Sequence, residues 1–266
     1  MSRPERTARA ESFYSHGEAT RYEANARMAV QQRSLADRAL QLLDLPPGIP
    51  ALILDAGCGT GYSGRPLEKA GHRWIGTDIS FPMLKSSNVA AARRGGGLTQ
   101  VLCDDLGSGL PFRNGVFDGC VSISAVQWLC HATQPSHDPQ KRIRKFFTAL
   151  RAVLAAGARA VLQLYPEQPE DMEMLREAAL NCGFSGGLVV DYPWSERAKK
   201  LFLVLIAPKR EASLNARTWM GDLVTTKGGS SAAPSGGPDA GWRGNGSSKG
   251  QGKNRQKGKR KREGSS

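Results

Sequence analysis

Residues 51–61 read ALILDAGCGTG. The first five, ALILD, form a short apolar run that ends in an acid, and glycines at 57, 59 and 61 follow at once, ahead of a helical stretch from Ser63 to Ala70. An apolar run stopping at a Gly-rich loop before helical spacing predicts strand, turn and helix. Only glycine lets backbone approach a bound ligand closely in such a loop. In open α/β sheets, ligands bind beyond the carboxyl ends of the strands where the strand order reverses. The loop leaving the first strand is therefore the expected binding site, with Asp55, Gly57, Gly59 and Gly61 as its residues.

The next strand supplies a second element of the site. RWIGTD (73–78) ends in Asp78, 17 residues after Gly61. A carboxylate at that point can accept hydrogen bonds from both hydroxyls of a ribose, with Ile79 beside it. After a third strand, LTQVL (98–102), comes Asp104-Asp105. Asp105 is placed to accept from an adenine amino group while Leu106 packs on the ring. Acids after successive strands indicate a nucleoside-type cofactor. Gly59, Gly61 and Gly64 also match G-x-G-x-x-G, so a nicotinamide or flavin cofactor is a competing reading.

Strand and helix signals keep alternating beyond this point. A helix is expected over 82–94, a fourth strand over VFDGCVSI (116–123), a helix over 138–155 closed by Gly157, and a fifth strand over ARAVLQLY (158–165). A helix from Glu170 to Cys182, a strand at 187–191 and the apolar run LFLVLIA (201–207) follow. Seven apolar strands interleaved with helices predict an α/β fold, a mostly parallel sheet covered on both faces. Residues 18–45 read as one helix ending before Pro46-Pro47, within an N-terminal cap (1–48) that precedes the α/β domain (49–208).

Residues 209–266 turn to Gly, Ser, Pro and Lys and are expected to be a disordered tail. They hold 13 Lys and Arg against 4 Asp and Glu, nine of the chain's thirteen net positive charges. KGKRKR (257–262) is the densest cluster and suits nuclear import or phosphate binding. With no amphipathic apolar face in the tail, this bias favours nucleic acid over membrane as partner. No stretch of about 18 apolar residues and no signal sequence is found, so a soluble, intracellular protein is expected. Cys58, Cys103, Cys120, Cys130 and Cys182 are far apart and lack C-x-x-C spacing. They are expected to be reduced thiols, and no metal site is expected.

LDAGCGTG (54–61), with Asp78 in GTDIS, resembles the cofactor motifs of the Rossmann-like class I S-adenosylmethionine methyltransferases. FYSHGEATRYEANARM (13–28), GLPF (109–112), FDGCVSISAVQWLC (117–130), AVLQLYPE (160–167) and GFSGGLVVDYP (183–193) go further and resemble the 18S rRNA guanine-N7 methyltransferase family. The glycine loop is common to many methyltransferases, whereas SISAVQWL and GFSGGLVVDYP are specific. The resemblance implies S-adenosylmethionine as cofactor and methylation of one guanine of small-subunit rRNA in the pre-ribosome. It also implies a small zinc-containing activator subunit as partner, and residence in the nucleus and nucleolus, with the cytoplasm also open.

The loops after the fourth and fifth strands lie at the cofactor edge, so Ser124, Gln127, Trp128, Tyr165 and Pro166 are the candidates for positioning the target base. Tyr14, Tyr22, Asn25 and Arg27 in the cap are candidates for closing over cofactor or substrate. Val126, Leu129 and Cys130 are candidate contacts for the activator. Two other readings stay open: a small-molecule methyltransferase, and a non-catalytic assembly factor that binds pre-rRNA.

Overall fold

A computed structural model describes residues 8–85, 100–166 and 168–209. The expected helix beyond residue 85, the start of the LTQVL strand and the basic tail from residue 210 lie outside the described residues. Among the described residues, seven strands form one sheet: β1 (Leu52–Ala56), β2 (Arg73–Asp78), β3 (Gln100–Cys103), β4 (Phe117–Ile123), β5 (Leu154–Leu164), β6 (Ser185–Asp191) and β7 (Lys200–Ile206). Their order is β3-β2-β1-β4-β5-β7-β6. The pairs from β3 through β5 are parallel, whereas β7 runs antiparallel to both β5 and β6.

Helices cover both faces. On one, α5 (Pro139–Val153) and α6 (Pro169–Asn181) pack over β1, β4 and β5, with Phe146, Phe147 and Leu150 fully buried against Leu54, Cys120 and Leu162. The other face takes α3 (Ala26–Leu43) and α4 (Gly64–Lys69), where Leu35, Ala39 and Leu43 meet Ile53, Val121 and Val161. Neighbours along one strand, Ile53 and Leu54 or Val161 and Leu162, thus serve opposite faces, as the two-residue period of a strand requires. That is why these strands read as continuous apolar runs.

The N-terminal region differs from expectation. The single helix read over 18–45 is two, α2 (His16–Ala24) and α3, broken at Asn25, and a short α1 (Ala10–Phe13) precedes them. Asn25 sits in extended conformation and its side-chain oxygen accepts the Met28 amide, a helix N-cap in the middle of the apolar pattern. Gly157 does not end α5 either. The helix stops at Val153 and β5 begins at Leu154, with Gly157, at φ +79°, inside the strand and donating to the Ala207 carbonyl.

The core makes a simple stability prediction. Phe147→Ala removes a fully buried ring and should lower the free energy of unfolding by about 3–5 kcal/mol. Ile49→Ala, at a 60% exposed position, should change it by less than about 0.5 kcal/mol. Urea titration of the two variants checks both.

Candidate active site

Strand order reverses between β1 and β4, and the loops leaving those strands open there. Gly57 and Gly59 take φ of +79° and +54°, a region that L side chains disfavour. A Cβ at Gly57 would lie 2.2 Å from Ala125 Cβ in the β4 loop, so this close approach of two loops requires glycine. The glycine loop is tied to β2 by the Gly57 and Cys58 amides, which donate to the Thr77 carbonyl at 2.7 and 2.9 Å. Asp78 extends the tie, accepting from the Gly59 amide at 2.9 Å and the Ser80 amide at 2.8 Å. Burial raises the Asp78 pKa, and these two bonds oppose the rise.

The loops enclose a cavity of about 370 Å³, within the range of small-molecule sites. Gly57, Gly59, Asp78, Ile79, Asp105 and Leu106 line it, as do Gln127, Trp128, Ser124 and Tyr165. The cap contributes Tyr14 and Tyr22, held by Ser80 donating to the Tyr14 carbonyl at 2.8 Å and Tyr62 donating to the Glu23 carbonyl at 2.7 Å. Trp128 stands 6.0 Å from the Phe13 ring and 5.9 Å from the Tyr14 ring, so an aromatic wall bridges cap and β4 loop. Three lining residues carry a buried polar atom with no hydrogen-bond partner among the described residues: Thr60 Oγ1, Asp104 Oδ2 and Gln127 Oε1. Buried polar groups are rarely left unpaired, so each of these atoms marks a place that water, an ion or a ligand can serve.

Several expected residues sit elsewhere or are already engaged. Asp55 and Gly61 are not among the lining residues. Asp55 is fully buried beneath the loop, accepting the Ser63 hydroxyl at 2.5 Å, and Gly61 serves the turn through its φ of +79°. Asp105 reaches the cavity, but its carboxylate pairs with Arg142 at 2.6 Å and accepts the Gly107 amide at 3.0 Å, which leaves Asp104 as the acid with a free oxygen. Ser124 donates to Gln163 Oε1 at 2.7 Å and holds a φ of +57°, a strained conformation for serine that lets the backbone turn at the cavity mouth. Arg27 is exposed and faces a second depression, because it lies on the same helical row as Gln31 and Arg38. Neither Asn25 nor Pro166 lines the cavity. Val126 and Cys130 are buried in the core, and Leu129 faces the cavity, so none offers a surface to a partner.

Sequence reading missed Gln31, Gln32, His137 and Arg142, all of which line the cavity. Arg142 lies in the first turn of α5, behind the Asp138 N-cap that accepts the Lys141 amide. It spans Asp105 and His137 Nδ1, the latter at 3.2 Å. Such a pairing joins residues 37 apart and leaves no local pattern.

A methyltransferase domain family matches residues 54–162. The mouse 18S rRNA (guanine-N7)-methyltransferase is 48% identical over 205 residues, 77% of this chain and 71% of the mouse chain. This chain belongs to the 18S rRNA (guanine-N7)-methyltransferase family. An Arabidopsis thaliana member is also 48% identical, over 214 residues, 80% of this chain and 72% of that one. Among solved structures, a Haloferax volcanii methyltransferase in complex with the Trm112 methyltransferase activator superposes with a TM-score of 0.51 at 20% identity, covering 72% of this chain and 98% of that chain. That likeness shows the shared fold.

S-adenosylmethionine is the cofactor of this methyltransferase, and the cavity fits it. Gly57 and Gly59 line the cavity without side chains, Asp78 lines it at the end of β2 where a carboxylate would meet a nucleoside ribose, and the unpaired oxygens would be acceptors for polar groups.

The buried acids give the fold a pH dependence. Burial pushes the Asp55 carboxyl up to about 7, the Ser63 bond opposing and Asp78 adding to the rise. An unfolded aspartate titrates near ~3.9, so between these values the folded state binds more protons and stability falls as pH rises. The contribution is fully present below about pH 4 and is lost as pH passes through about 7. Asp55→Asn should flatten part of this slope, the remainder belonging to Asp78 and Asp104, whose pKa values are also raised. Urea titrations at acidic and neutral pH measure it.

Proposed function

We propose that this chain methylates N7 of a guanine in small-subunit rRNA during ribosome assembly, with S-adenosylmethionine as donor. The observation that carries the reading is one cavity that joins nucleoside-binding acids, Asp78 and Asp104, to an aromatic wall of Tyr14 and Trp128. The curated relatives carry this activity in their names.

When bound, the cofactor supplies an electrophilic methyl group. Asp78 would hold the ribose hydroxyls, and Asp104 Oδ2, which lacks a partner among the described residues, would accept from the adenine amino group, with Leu106 against the ring. Arg142 holds Asp105 aside by its ion pair and so fixes the turn that presents Asp104. On the substrate side, the target guanine is single-stranded or extruded and stacks on Trp128. Gln127 Oε1 accepts from its N1–H or amino edge. Guanine N7 carries a lone pair and no proton, so no general base is needed. The protein's task is alignment and exclusion of water, and positioning of this kind can lower a barrier by roughly 7–11 kcal/mol.

The zinc-containing activator and the nuclear and nucleolar setting belong to the same proposal. A Haloferax methyltransferase of this fold forms a complex with the Trm112 activator, which supports a comparable partner here. The described surface has a suitable place at β3, which pairs only with β2 among the described residues and carries exposed Leu102, with exposed Phe81 nearby.

Transfer of labelled methyl to small-subunit rRNA, with alkaline cleavage at N7-methylguanine, tests the activity. Label at one guanine is expected. Trp128→Ala should lower kcat/KM roughly 5- to 150-fold, the value of one stacked base. Asp104→Ala should weaken cofactor binding roughly 10- to 100-fold in calorimetry. Absence of label from the full chain, with activator present, would contradict the proposal.

A further inference from the structure

The specific motif GFSGGLVVDYP ends outside the cavity, and the loop it leads into has no part in the site described above. Residues 192–199, YPWSERAK, join β6 to β7. The loop is ordered by its own bonds, the Ser195 amide donating to the Tyr192 carbonyl at 3.1 Å and the Lys199 amide to the Ser195 carbonyl at 2.7 Å. It nevertheless turns its largest side chains outward. Trp194 is 96% exposed and Tyr192 is 67% exposed. Tyr192 also holds a φ of +53°, a conformation that costs energy for a non-glycine residue and recurs where a side chain is presented for binding.

Topology puts this loop on the working edge of the sheet. Since β7 runs antiparallel to both neighbours, β5 and β6 point the same way, and their carboxyl ends emerge at the same edge. Tyr165, just past β5, lines the cavity. The Lys200 ammonium lies 5.3 Å from its ring centroid, and Gln31 donates to its hydroxyl at 3.3 Å. Gln31 and Lys200 also line the second depression, together with Arg27 and Tyr192. The cavity and the loop are therefore joined through Tyr165.

The charge on this path is mostly positive. Arg27, Arg197 and Lys199 are exposed, and Lys200 is half-buried. Of the acids nearby, Asp191 is occupied by a two-pronged bond from Arg38 at 2.8 and 3.1 Å, leaving Glu196 and Asp37. Exposed aromatic faces interleaved with cations are the surface that single-stranded nucleic acid uses, bases stacking and phosphates pairing.

We propose that this loop and the adjoining depression bind the single-stranded RNA flanking the target guanine, with bases stacked on Trp194 and Tyr192 and phosphates held by Arg27, Arg197 and Lys199. The inference rests on the rRNA reading of the cavity and adds to it a second, non-catalytic contact that sets affinity for the strand.

The test uses the full chain, the variants Trp194→Ala and Arg197→Gln with Lys199→Gln, and small-subunit rRNA as probe. Methyl transfer is measured at varied rRNA, and binding of an rRNA fragment is followed across a salt series. Trp194→Ala should raise KM for rRNA at least about fivefold while leaving kcat and cofactor affinity unchanged. The charge variant should reduce the salt slope of binding by about 1 to 1.5, the share of two single-strand phosphate contacts. If the wild type methylates rRNA but neither KM nor the salt slope moves, the loop does not contact RNA, and the inference fails while the proposed activity stands. Loss of a protein partner with unchanged rRNA KM would assign the loop to protein recognition and overturn it equally. No transfer to rRNA by the wild type would remove both.

Discussion

The carboxylate of Asp78 accepts the amides of Gly59 and Ser80, and with the Thr77 carbonyl it pins the glycine loop against the end of β2. Much else at this edge depends on that tie. It keeps the loop in its left-handed conformation and so lets Ala125 approach Gly57. The β4 loop can then bring Gln127 and Trp128 to the same cavity as the acids of β2 and β3. A buried carboxylate held by two amide donors is fixed in place at the cavity wall.

The cavity lining combines two chemistries. One group is polar and acidic, with Asp78 and Asp104 at strand ends and Arg142 bracing Asp105 from α5. The other is aromatic and borrowed partly from the cap, where Phe13, Tyr14 and Tyr22 meet Trp128 and Tyr62. The strained Ser124 also lines it, its hydroxyl held by Gln163 from β5. These lining residues come from elements that the sheet order brings together at the reversal between β1 and β4.

What the sequence disclosed follows from range. Strand and glycine loop are contiguous in ALILDAGCGTG, and Asp78 ends the next strand, so the position of Gly57, Gly59 and Asp78 on the cavity was readable from local pattern. The break at Asn25 was not, because the apolar spacing of α2 runs on into α3 and only the side-chain cap to Met28 marks the interruption. Asp104 and Asp105 could not be told apart without Arg142, 37 residues beyond Asp105, nor could Ser124 be seen as occupied without Gln163, 39 residues beyond it. Asp55 looked like a ligand because it adjoins the glycines, yet strand alternation turns it under the loop to Ser63. Val126 and Cys130 looked exposed because an apolar run after a strand reads alike whether it caps a core or faces solvent.

A crystal structure of the full chain with S-adenosylhomocysteine would show how Asp78 and Asp104 meet the adenosine. The ribose hydroxyls are expected on Asp78, the adenine amino group on Asp104 rather than Asp105, and the space between Trp128 and Gln127 left open for a base. An adenosine moiety seated away from Asp78, or filling the space between Trp128 and Gln127, would contradict this placement.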